Sequence, residues 1–126
     1  MCKNLNELFE LCVKFKYDKT NAKSEIAKIL KKGVKVYPKE FQTLIAQKPQ
    51  NLKRHDLAFL AGLIELLCLN YEIEIPDWIN DEDCFLSKPF VSYKGYTDEV
   101  PEKLKSVTNP VFLKRNYFTN ENIRLV

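Results

Sequence analysis

The residues best suited to acid–base chemistry are His55, followed directly by Asp56, and the acidic cluster Asp77, Asp81, Glu82 and Asp83. Paired carboxylates of this kind can hold a divalent cation or act as acid and base. The Asp81-Glu82-Asp83 run has neither the alternate spacing nor the turn glycine of a calcium loop, so helix starts and loop solvation account for it. His55, the single histidine, reads as a helix-surface residue with no nucleophile in reach of its sequence neighbourhood. A pocket joining it to Asp77 or Asp81 is the arrangement an enzyme would need here.

The cysteines are Cys2, Cys12, Cys68 and Cys84. No two are two to four residues apart, as a zinc knuckle requires. Cys12 and Cys68 sit among apolar residues at helical spacing and read as small hydrophobes in a reduced core. Cys84, beside acidic residues, is expected to be partly exposed. Three glycines in the chain leave nothing for a phosphate-cradling loop, and no nucleophile elbow or metalloprotease helix appears. The expectation is a non-enzymatic protein without catalytic residues, metal or cofactor.

The elements that must carry these residues are mostly helical. Asn4 caps a first helix with Glu7 three residues on, and Leu5, Leu8, Phe9, Cys12 and Phe15 form its apolar stripe. A second helix buries Ala22, Ile26, Ile29 and Leu30 and is expected to stop at Gly33, after Lys31 and Lys32. Pro38 opens a third, with Phe41, Leu44 and Ile45 inward, which Pro49 ends. From Leu52 to about Glu72 the chain is apolar almost all round, the mark of a central helix packed on most sides. Gly62 in its middle costs about 1 kcal/mol relative to alanine, which predicts the close approach of another helix.

Beyond Ile75 the periodicity fades. Residues 76–80 predict a single helical turn opened by Pro76, and residues 81–97 an irregular, aromatic-rich connection. Short helices are predicted at 100–107, at 110–115 with Thr108 or Asn109 as cap, and from Asn120 onward. The fold class is therefore all-α: one compact multi-helix domain, residues 1–126, around a buried central helix at about 52–72. The size matches a common domain length of roughly 100–150 residues.

Glu7 and Glu10 interrupt the N-terminal apolar run, so no signal pattern forms, and the longest apolar stretch is too short to span a bilayer. A cytoplasmic location without membrane contact is expected. The formal net charge of +3 hides an asymmetry. Residues 1–56 carry 13 Lys and Arg against 6 Asp and Glu, residues 57–102 carry 2 against 10, and residues 103–126 carry 5 against 1. Lys28, Lys31, Lys32 and Lys35 are the centre of the basic half and the candidate contacts to nucleic acid phosphates. Only Arg54 accompanies them, where base reading prefers arginine. The alternative is a solvated lysine face.

Trp78, Phe85, Phe90, Tyr93 and Tyr96 crowd the least regular part of the chain. They serve either as a lid over the central helix or as a partner surface, since aromatic residues concentrate at interface hot spots. An ordered series runs through the same region: Pro76-Asp77-Trp78-Ile79-Asn80-Asp81, then Phe85-Leu86-Ser87-Lys88-Pro89-Phe90, then Pro110-Val111-Phe112-Leu113-Lys114-Arg115-Asn116-Tyr117-Phe118. It resembles a pattern in small bacterial proteins of uncharacterised function. That pattern also follows helix-turn-helix domains of Xre-type regulators and occurs near toxin–antitoxin-like or mobile gene pairs. The resemblance covers about Phe41 to Ile123, while the first 40 residues lack the Xre signature. Lys114 stands where the family often has arginine, and Arg115 is retained. The resemblance implies a protein-binding or regulatory role, antitoxin-like or as companion of an accessory gene pair. Trp78, Phe90, Tyr93, Tyr96, Lys114 and Arg115 are the candidate partner-binding residues, with the Lys114–Arg115 pair expected to point outward.

Overall fold

The computed structural model describes residues 4–15 and 19–119, with the side chains of residues 11–22 left out of the description. The predicted helix beginning at Asn120, and the inward positions of Cys12, Phe15 and Ala22, lie outside the described side chains. Six α-helices appear among the described residues: α1 (Leu5–Phe15), α2 (Lys19–Val36), α3 (Pro38–Ala46), α4 (Arg54–Tyr71), α5 (Glu102–Val107) and α6 (Pro110–Leu113). Two 3-10 turns, Asp77–Asn80 and Glu82–Cys84, follow α4.

Local chemistry sets the boundaries. The Asn4 side chain accepts the Glu7 amide at 2.9 Å, satisfying one of the free N–H groups that open α1. Gly33 does not stop α2; the helix runs on to Val36, and Gly33 is buried inside it, where an added Cβ would lie 3.8 Å from Phe41. Pro38 then starts α3 with Phe41, Leu44 and Ile45 buried. Helix α4 ends on Glu72 in the left-handed conformation, φ +55°, with its amide returned to the Cys68 carbonyl. Asn109 caps α6 by accepting the Val111 amide at 3.1 Å.

Helix α4 is the axis of the core. Eleven of its residues are buried, from Asp56 to Cys68, and α2, α6, both 3-10 turns and the C-terminal strand all touch it. Gly62 is where α6 comes closest: a Cβ there would fall 2.6 and 2.7 Å from the Phe112 ring. The predicted close approach is met, and its partner is the short helix opened by Pro110.

The all-α expectation is corrected by a small sheet of β1 (Phe90–Val91), β2 (Gly95–Tyr96) and β3 (Tyr117–Phe118), in the order β2-β1-β3. Strands β1 and β2 form an antiparallel hairpin, Phe90 facing Tyr96, and β1 pairs in parallel with β3, Phe90 facing Tyr117. The Lys94 amide closes the turn on the Val91 carbonyl at 3.0 Å. Gly95, at φ +100°, completes a three-residue loop of the kind that needs a left-handed residue. The parallel seam is extended by Leu86 N–H to the Arg115 carbonyl, Phe90 N–H to Asn116 and Ser92 N–H to Phe118, at 2.9–3.0 Å. A second, smaller apolar cluster of Val91, Leu104 and Phe118 lies on this seam.

Candidate functional site

Two charged clusters sit inside the protein. The first is centred on Arg115, which is fully buried. The expectation that it points outward is corrected. The left-handed turn at Asn116, φ +64°, follows the end of α6, and the guanidinium lies inside, between α4 and the first 3-10 turn. It donates to Glu65 Oε1 at 2.7 Å, to the Val111 carbonyl at 2.8 Å and to the Ile79 carbonyl at 3.0 Å. Its carbon centre lies 5.0 Å from the Phe85 ring, while Nε makes no hydrogen bond. Lys114, 45% exposed, reaches the other Glu65 oxygen at 2.6 Å. Burial alone would raise the Glu65 pKa; the hydrogen bonds from Lys114 and Arg115 outweigh it and hold the carboxyl below the ordinary value. The Lys114–Arg115 pair thus clamps the last segment onto α4.

The second is Lys23 on α2, 5% exposed, with Asp56 at the start of α4, 2% exposed. The Lys23 ammonium is 3.5 Å from Asp56 Oδ1 and donates to the Tyr117 hydroxyl at 2.9 Å. Three rings surround it, with centroids 5.0 Å (Tyr117), 5.4 Å (Phe59) and 5.4 Å (Phe90) away, within cation–π range. His55 stacks flat on Phe90, centroids 4.4 Å apart, meets Tyr96 edge-on at 6.0 Å and lies 3.2 Å from Asp56. A carboxylate, an ammonium, an imidazole and a phenol therefore share one aromatic box beneath the β1–β2 hairpin. A signal for it existed. Lys23 falls in step with Ile26 and Leu30 on the buried stripe of α2, and Asp56 in step with Leu60, Leu63 and Leu67 on α4. Opposite charges on two apolar stripes announce a buried pair.

The predicted site residues divide accordingly. Trp78 is buried and donates its indole N–H to the Ile45 carbonyl at 2.8 Å. Phe90 is buried beneath the hairpin. Tyr93 and Tyr96 are 63% and 52% exposed, so of the aromatic candidates these two present their rings to solvent. Lys28, Lys32 and Lys35 are exposed and Lys31 is half-buried, at i, i+4, i+7 and i+3 along one face of α2.

The remaining candidates for chemistry are taken up elsewhere. Lys48 bridges Asp81 and Asp83 at 2.9 and 2.8 Å, and the hydrogen bonds it donates to these carboxylates raise its pKa. His55 is engaged with Asp56, Phe90 and Tyr96 rather than with Asp77 or Asp81. Cys84 is buried, not partly exposed as expected. Burial, reinforced by Asp83, pushes its pKa up to about 11, and burial with Glu65 does the same for Cys68. Among the described residues, no group of three or more His, Cys, Asp or Glu side chains is placed to hold a metal ion. No helix among them is long and apolar enough to cross a membrane. Comparison with protein-family models, with curated proteins and with solved structures finds no match.

Proposed function

We propose that the protein is a non-enzymatic protein-binding or regulatory module that holds its partner through the β1–β2 hairpin. The observation that carries this reading is the pair Tyr93 and Tyr96, exposed on a tight turn whose base is locked to the core. Tyr96 rests edge-on against Phe90, centroids 5.1 Å apart, and against His55. An aromatic side chain already ordered in this way loses little entropy on docking, and tyrosine is enriched at the energetic centre of interfaces. The resemblance to small bacterial proteins of uncharacterised function, whose pattern also follows Xre-type domains, supports a role as antitoxin-like or companion protein of an accessory gene pair in the cytoplasm.

A photo-crosslinking amino acid at position 93 or 96, installed in the native cell, tests this. A discrete crosslinked protein is expected from both positions and none from exposed Lys103. Equal labelling from all three refutes the hairpin as the docking surface.

A second reading is favoured by the lysine stripe Lys28, Lys31, Lys32 and Lys35, four cations on one helix face, which suits contact with nucleic acid phosphates. Binding to a DNA duplex would then weaken with salt by a logarithmic slope of about −0.9 per phosphate engaged. Replacing all four by glutamine would abolish it. Binding that ignores salt, or the quadruple replacement, removes this reading.

A further inference from the structure

A groove of about 600 Å³ runs between the end of α3 and the segment that leaves α4, lined by Gln42, Ile45, Ala46, Lys48, Ile75 and Trp78 among others. Its size is within the range of about 300–1,000 Å³ typical of binding clefts. Helix α4, 18 residues long, places about 27 Å of rise between its two ends. The hairpin packs on His55 at one end and residues 73–76 leave the other, so the groove is separate from the surface proposed above.

Three properties define an occupant. The lining is mixed: Ala46, Ile75 and Pro76 offer apolar surface beside Ile45 and Trp78, and Gln42, Gln47, Lys48, Glu74 and Asp77 supply polar groups. Of the segment 72–83, which carries six carboxylates and no lysine or arginine, residues 74–78 line the groove, and Glu74 and Asp77 among them are exposed. The one lysine lining the groove, Lys48, is already bridged to Asp81 and Asp83, so the field over the groove is negative. Finally, residues 73–76 belong to no helix or strand. Among the described residues the amides of Glu74 and Ile75, and the Ile75 carbonyl, make no hydrogen bond. A short stretch of backbone beside the groove is thus open to pairing, as in recognition by strand addition.

We infer that this groove binds an extended, basic segment of a protein partner. An apolar side chain of the segment lies on Ala46 and Ile75, lysine or arginine side chains reach Glu74 and Asp77, and its backbone pairs with Ile75.

The probe is a fluorescein-labelled hexapeptide alternating lysine and valine, titrated into the full chain and read by anisotropy and by the fluorescence of Trp78, the single tryptophan. Saturable binding is expected. It should weaken at least tenfold in Glu74→Lys/Asp77→Lys and in Ala46→Arg, all at exposed positions, and stay unchanged in Tyr93→Ala/Tyr96→Ala. The same peptide with backbone N-methylation at its valines should also lose at least tenfold. The inference is overturned by absent or unsaturable binding, by equal binding of the glutamate–valine peptide, or by indifference to the groove substitutions or to N-methylation. Self-association of the chain that the probe dissolves would assign the groove to a second copy and overturn the partner assignment.

Discussion

Replacing Arg115 with methionine removes a side chain that joins α4, the first 3-10 turn and α6. Three hydrogen bonds of 2.7–3.0 Å are lost. The Val111 and Ile79 carbonyls lose these donors inside the protein, each costing about 1–3 kcal/mol. Glu65 keeps Lys114 at 2.6 Å and retains some exposure, so its share falls at the low end. Methionine returns part of the loss. It spares the desolvation of a buried guanidinium, and its sulfur beside Phe85 is worth roughly 0.3–1.5 kcal/mol. The balance is a destabilisation of about 3 kcal/mol, a large part of the roughly 5–15 kcal/mol that holds a domain together. With a urea slope of about 2 kcal/mol/M, the midpoint falls by about 1.5 M, which the fluorescence of buried Trp78 reports directly. Lys114→Met, removing the exposed half of the same clamp, should cost under about 1 kcal/mol. An Arg115→Met loss below about 1 kcal/mol, or equal losses for both variants, would refute the assignment of Arg115 as the buried hub.

Gly62→Ala gains about 1 kcal/mol of helix propensity but drives a methyl group into the Phe112 ring, at a cost of roughly 1–3 kcal/mol; the net result is a lower Tm, restored by adding Phe112→Leu. Because the Glu65 carboxyl is held below its unfolded value, its contribution is full above the unfolded pKa of about 4.3 and is lost as pH falls through the folded pKa; Glu65→Gln should flatten the acid limb of a stability-versus-pH curve. In a Cys2→Ser/Cys12→Ser chain, Cys68 and Cys84, with pKa near 11, should resist a thiol reagent at pH 8 until urea unfolds the protein; rapid labelling of either would contradict their burial. Tyr93→Ala should leave Tm unchanged, since its ring is 63% exposed, while weakening partner crosslinking from a probe at position 96.

The helices were legible wherever local chemistry decides: the Asn4 and Asn109 caps, the Pro38 start and the all-round apolarity of α4 each act within a few residues. The sheet was not, because two-residue strands have no alternation to read, and its parallel seam joins partners such as Ser92 and Thr119, 27 positions apart. Gly33 misled because a glycine that resembles a helix stop is used for packing against Phe41. Arg115 reads as a surface residue because its acceptors come from positions 36 and 50 residues earlier. The aromatic region itself was visible; which rings face inward depended on the Lys23–Asp56 pair that gathers them, and that pair is written across two separate helices.

The distance along the chain between Glu65 and Arg115 also sets an order of events during synthesis. Helix α4 is made first, and the 50 residues that separate its carboxylate from the arginine take about 3–10 s to add at roughly 5–20 residues per second. Throughout that interval the furrow at Gly62 has no Phe112 to fill it, and the part of α4 that α6 and β3 cover stands bare. The nascent chain is therefore a substrate for chaperones until its last quarter emerges, and a ribosome stalled before Pro110 would present an adhesive helix instead of a folded protein.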